Sequence, residues 1–234
     1  MIFFTHYRND SRQVFRDPVM RILIFAPLLM IGLFKIIFIF LPPILISKLS
    51  FDITQYYQYI LSGIVVMIAG MMGIVTGFLM IDERDGNISE LISVTPLGQS
   101  GYLINRLSFA AFPAFIYSIA APLILDLGTV PILNIFIISI LSSIYSAIIG
   151  LLIYSGADNK VKALTYAKGL NSFALFAFSD LFLLRWLTVI SWAFPPYWIT
   201  MLVKNPQSVF IILIASVVHL LWFLFLIFRY LKSR

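Results

Sequence analysis

The sequence predicts an all-α integral membrane protein with six crossing helices and an N-terminal helix lying along the membrane surface. Three observations carry that prediction. Hydrophobic residues make up 61% of the 234 residues and charged ones only 11%, whereas a water-soluble domain is about half apolar and about a quarter charged. The apolar residues fall in continuous runs of about 20, the length that crosses a bilayer as a helix. Those runs do not alternate with polar residues, so the strands of a membrane barrel are not expected. A mean hydropathy of +1.01 agrees.

In residues 1–17, Phe4, Tyr7, Ser11 and Phe15 follow one helical face, continued by Pro18, while Arg8, Arg12 and Arg16 repeat on another. This is the pattern of an amphipathic elbow helix at a lipid surface. It reads either as a basic anchor that sets topology or as an elbow that also braces a partner. With no apolar stretch followed by small residues, a cleavable signal is not expected. Asp17 is the predicted N-cap of the first crossing, and Pro18 its first residue.

The crossings are expected at 18–41, 57–81, 103–125, 132–154, 163–184 and 208–228. Lys and Arg set their direction. One side collects Arg8, Arg12, Arg16, Arg21, Arg84, Arg106, Lys160, Lys162, Lys168, Arg229, Lys232 and Arg234; the other has Lys48 and Lys204. The basic side is expected to be cytoplasmic, with both termini on it. The net charge of +6 therefore belongs to topology and anionic lipid, and no nucleic acid is implied.

The loop 82–100 is the most informative. It carries Asp82, Glu83, Arg84, Asp85 and Glu90, and then Ile88, Leu91 and Ile92 on one side of a helical turn. Asn87 with Glu90 reads as a capping box, and Pro96 ends the segment. A short amphipathic helix between spans is a docking element for another protein.

Two stripes of small residues, Gly63, Gly70, Gly73 and Gly77 in the second crossing and Ser139, Ser142, Ser143, Ser146 and Gly150 in the fourth, permit close helix approach. Packing within the chain is the plain reading; a subunit interface or a polar patch on a substrate path are the others. At 185–204, Trp186, Trp192, Phe194, Pro195, Pro196, Tyr197 and Trp198 make a segment too apolar for a solvated loop. It reads as two short helices dipping into the outer leaflet, or as an aromatic interface loop. Asp180 and Arg185 are expected to pair there.

Little else could carry chemistry. Lys35 is placed to snorkel outward, Asp126 to meet water and His219 to pack or hydrogen-bond. Cysteine is absent and the two histidines, His6 and His219, lie at opposite ends of the chain, so neither a metal cluster nor a thiol site is expected. GxSxG and GxxxxGK[ST] do not occur, and no polar stretch reaches the ~50 residues of a separate domain. No enzyme activity and no cofactor are expected on this chain, and energy must come from another. The aromatic, weakly charged interior suits a lipophilic or amphiphilic cargo; no residue is assigned to binding it.

The segments FRDPVMRIL, GFLMIDERDGNISELISVTPLGQSGYLINRL, GADNKVKALTYAKG and WAFPPYW together resemble the ABC-2-type transporter permeases. In length and layout the chain is most similar to the short drug-export permeases of fluoroquinolone efflux. The resemblance covers nearly the whole chain, and ERDGNISELISVTPL is its most specific block. It implies a type V exporter-like transmembrane domain in a bacterial or archaeal cytoplasmic membrane. Two such subunits, as a homodimer or with a sister permease, would be driven by separate ABC ATPase subunits that hold ATP and magnesium. Asp82, Glu83, Arg84, Asp85, Gly86, Ile88, Glu90, Leu91, Ile92 and Pro96 would form the coupling helix seated on the ATPase, with Gly86 in the tight turn before it. Lys160 and Lys162, in the second loop 156–168, would add a further contact. The competing readings are an ATP-independent secondary carrier and a non-transporting six-span immunity or assembly protein.

Overall fold

A computed structural model describes residues 14–88, Leu91 and residues 98–232. The elbow before Val14, and Glu90, Ile92 and Pro96 of the first loop, lie outside the described residues. Among the described residues the chain forms α1 (Pro18–Leu49), a 3₁₀ turn (Ile53–Tyr56), α2 (Tyr57–Asp85), α3 (Gly98–Leu125), α4 (Ile132–Gly156) and α5 (Lys160–Asn171). A 3₁₀ segment (Ser172–Phe182) continues α5, and α6 (Arg185–Ser191), α7 (Pro195–Lys204) and α8 (Val209–Lys232) complete it. The chain is an all-α membrane protein. The Asp17 carboxylate accepts from the N–H groups of Val19 at 2.8 Å and Met20 at 3.1 Å, fixing the start of α1 as expected.

Helix α2 is the axis of the bundle. Of its apolar stretch 89% is buried, against 17% in α1 and α8, so α1 and α8 leave most of their apolar surface on the outside of the bundle. The glycine stripe explains the difference. A Cβ on Gly73 would lie 2.6 Å from the Ile149 Cβ and 2.6 Å from the Ser146 carbonyl oxygen, and one on Gly77 would lie 2.7 Å from Ile153 Cγ2. Gly150 answers from α4, where a Cβ would meet Thr76 at 2.8 Å. Gly73 and Gly77 therefore face Gly150 and its neighbours inside the chain. Helices α2 and α4 approach closely because each crossing residue on one helix is a glycine beneath Ile149, Ile153 or Thr76 of the other. Gly63 and Gly70 instead face Phe178 and Asn171, and Ser142 and Ser143 turn to α3.

The fifth crossing departs from expectation. Instead of one α-helix over 163–184, α5 gives way at Ser172 to an 11-residue 3₁₀ segment, far longer than such runs usually last. Residues three apart eclipse in this geometry, which lines up Phe173 and Phe176 with ring centroids 6.0 Å apart. Both rings pack on Phe194, at 5.2 and 4.2 Å. Together α5 and the 3₁₀ segment extend roughly 40 Å, enough to cross.

The aromatic segment forms two short helices, α6 and α7, bent by 104°. The pair folds back on itself. Lys204 at the end of α7 sits against Asp180 (3.1 Å), just before α6, and against the Tyr59 hydroxyl (2.7 Å) at the start of α2. The bend reaches mid-depth, where Trp222 Nε1 donates to the Ala193 carbonyl at 2.7 Å. Both ends of the pair thus lie close together, beside five long apolar helices and the α5–3₁₀ segment. Lys204, not Arg185, is the partner of Asp180: the bend brings the end of α7 back beside it. His219 is fully buried, with Nδ1 2.7 Å from the Ala215 carbonyl, and Lys35 donates to the Leu125 carbonyl at 3.5 Å.

Gly73→Ala should overpack the α2–α4 crossing and cost about 1–3 kcal/mol. Gly32→Ala, with nothing within 4 Å of the added carbon, should leave the thermal midpoint in detergent unchanged or raise it. Equal midpoints for the two variants would remove the crossing from this account.

Candidate functional site

The Asp-Glu-Arg-Asp block predicted as a loop is the last turn of α2, at the basic end of the bundle. Successive helical residues step by about 100°, so three adjacent side chains leave α2 toward three different neighbours.

Glu83 points inward to α3. Its Oε2 accepts from Arg106 Nε at 2.6 Å and from the Tyr102 hydroxyl at 2.8 Å, and its Oε1 lies 2.5 Å from Arg106 Nη2. The Glu83 and Arg106 side chains are 2% and 3% exposed. This is a forked guanidinium–carboxylate pair with a phenol completing it. Glu83 is therefore held inside the chain, where Arg106 and Tyr102 compensate its charge in place of water.

Asp82 turns to Lys160, whose Nζ lies 2.8 Å away and also contacts Asp17. One ammonium thereby joins the entrance of α1, the end of α2 and the start of α5. Burial, the largest influence on Asp17, pushes its carboxyl up, but the Lys160 ammonium and the N–H groups of Met20 and Val19 outweigh it and hold it below 3.8. Burial likewise pulls Lys160 down, and the two carboxylates outweigh it and hold the ammonium above 10.5.

Arg84 faces α4. Its Nη2 donates to the Ala157 carbonyl at 2.7 Å and its Nη1 to the Tyr154 carbonyl at 3.4 Å, with the guanidinium 5.1 Å over the Tyr154 ring. Those carbonyls belong to the helix end, where no intrahelical donor remains. Asp85 is 3.9 Å from Arg84 Nε and half-exposed.

Beyond this junction the chain changes character. The left-handed turn residue is Asn87, at φ 55°, and not Gly86, which has φ −87°; the short Asn side chain tolerates that conformation. The Asn87 carbonyl accepts from Leu91 N–H at 3.3 Å, a helical bond starting where the capping residue was expected. Ile88 and Leu91 are 40% and 66% exposed. Lys162 pairs with Asp158 at 2.5 Å on the surface. Among the described residues no group of three or more His, Cys, Asp or Glu side chains could hold a metal ion.

Sequence reasoning counted Arg106 only as a topological charge and gave Tyr102, Asp17 and Tyr154 no part in this junction. A signal existed: Tyr102 and Arg106, one helical turn apart, share a face of α3, opposite an acidic helix end.

Comparison with known proteins decides the family. The family model described as "Fluoroquinolones export permease protein Rv2686c-like" matches residues 10–227. This chain belongs to that permease family. Two relatives from Mycobacterium tuberculosis, the fluoroquinolones export permease protein Rv2686c of strain ATCC 25618 / H37Rv and MT2760 of strain CDC 1551 / Oshkosh, are each 26% identical over 200 residues. Each match covers 82% of this chain and 77% of the relative. No solved structure matches. The permease is thus a multi-pass membrane transport protein, and the junction around Glu83 joins its first five helices at the basic end.

Removing one member of a buried pair leaves the other charge uncompensated, so Arg106→Ala should cost about 3–5 kcal/mol in unfolding free energy. The Asp17–Lys160 link behaves differently with pH. The lowered Asp17 pKa adds stability above the unfolded value, lost as pH falls through the folded one. The raised Lys160 pKa adds stability below its unfolded value, lost as pH rises through the folded one. The stability difference between wild type and Lys160→Met should therefore stay constant from about pH 5 to about pH 9; a slope within that window contradicts the assignment.

Proposed function

We propose that this permease is the membrane subunit of an ATP-driven ABC exporter, with its basic end in the cytoplasm and a separate ATPase seated on the segment that follows Asp85. One observation carries this reading. An exposed apolar pair, Ile88 and Leu91, projects from a mount in which Asp82, Glu83 and Arg84 are each fastened to a different part of the bundle. Apolar side chains bared beside a charged membrane surface fit a groove on another protein better than water. A rigid mount passes a partner's movement to the spans as rigid-body rocking.

The contact residues in this reading are Ile88, Leu91 and Asp85, with Lys162 on the second loop. Glu90, Ile92 and Pro96 extend the same segment. Asp82, Glu83, Arg84 and Lys160 hold the mount. The cargo is a lipophilic or amphiphilic molecule such as a drug, peptide or lipid, in keeping with an interior rich in apolar side chains. The relatives' names point to fluoroquinolones. Two permease subunits, alike or sister, complete the pathway.

Co-expression with a cognate ATPase tests this. Wild type should co-purify with the ATPase and export substrate from ATP-loaded vesicles. Leu91→Glu should lose ATPase retention and transport at least about tenfold, since a buried unpaired carboxylate is disfavoured, while keeping the wild-type thermal midpoint. Normal assembly and export by that variant, or transport by the permease alone, would defeat the reading.

A further inference from the structure

We infer that the ends of α2, α4 and α8 form a binding site for the phosphate of an anionic phospholipid in the leaflet next to the basic end. Arg84, Tyr154, Ser155, Arg229 and Tyr230, with Leu151 and Leu226 as apolar neighbours, line a cavity of about 290 Å³. No acidic side chain lines it among the described residues.

The two guanidiniums differ in state. Arg84 is already oriented by the Tyr154 and Ala157 carbonyls. Those two bonds leave further N–H donors of its five-donor fork for an anion. Arg229 makes no hydrogen bond or ion pair with another described residue. Both arginines line one cavity, and among the described residues no carboxylate lines it with them. Phosphate suits them because its oxygens accept the paired donors of the planar fork.

The surroundings favour a lipid as the source. On α8, Leu224, Phe225 and Phe228 are exposed close to Arg229, an apolar surface for acyl chains. Tyr230, two residues before Lys232, lines the cavity with Tyr154, as aromatic residues do at the headgroup level. Basic pockets between helices at this membrane face are suited to anionic headgroups. The site rests on the basic end facing a lipid leaflet and is independent of whether an ATPase binds there.

The test uses the purified permease in detergent, without ATPase. Its thermal midpoint is followed during titration with phosphatidylglycerol, phosphatidylcholine or inorganic phosphate. Phosphatidylglycerol should raise the midpoint saturably, with the other two ineffective at the same concentrations. Arg229→Gln should keep the lipid-free midpoint and weaken phosphatidylglycerol at least about tenfold, as expected for loss of a charge-assisted contact. Lys232→Gln, removing only a nearby charge, should weaken it no more than about fivefold. Equal weakening by both variants overturns the site in favour of diffuse attraction, and an equal response to inorganic phosphate overturns the lipid as its source. If Arg229→Gln spares lipid binding yet abolishes ATPase retention, the pocket belongs to a protein partner and the inference fails.

Discussion

The pairing of Glu83 with Arg106 is the constraint from which the basic end takes its shape. Both charges are withdrawn from water, so each requires the other, and α2 and α3 cannot separate there without exposing an unpaired ion. Once that register is set, the neighbours of Glu83 have no freedom of direction. Asp82 must face α5 and the entrance of α1, and Arg84 must face the end of α4. A four-residue charged run that reads as a loop is instead the fastening of α2 to α1, α3, α4 and α5.

The glycine crossing complements this fastening from within the membrane. At Gly73, Gly77 and Gly150 the backbone of one helix lies directly against β-branched side chains and carbonyls of the other. Such close contacts resist small sliding movements because Ile149, Ile153 and Thr76 have little rotamer freedom. With the charged junction at one end, α2 and α4 behave as one body. Helices α1 and α8, largely bare of protein contact, are the surfaces free to meet lipid or another subunit.

Much of this was legible in the residues. Continuous apolar runs, the Asp17-Pro18 start and the paired small-residue stripes each report a local requirement that only a few residue types meet. The two short helices around Pro195 and Pro196 were legible for the same reason. What escaped reading depended on contacts between distant segments. Asp180 was matched to Arg185, its sequence neighbour, because nothing local reveals that a 104° bend returns Lys204 to it. Glu83 was read as part of a loop between spans, and its burial depends on where α3 delivers Arg106. The 3₁₀ stretch carried no signal of its own either, since its apolar run suits an α-helix equally well, and the packing of Phe173 and Phe176 on Phe194 joins segments distant in sequence.

That stretch has a mechanical implication. Eleven residues rise about 22 Å as a 3₁₀ helix but about 16 Å as an α-helix. Rewinding them would shorten the strut between Lys160 and Asp180 by about 5 Å, roughly one α-helical pitch. The strut's two ends are gripped by opposite ion pairs, so such a stroke would pull directly on the Tyr59–Lys204 clasp across the full thickness of the bilayer.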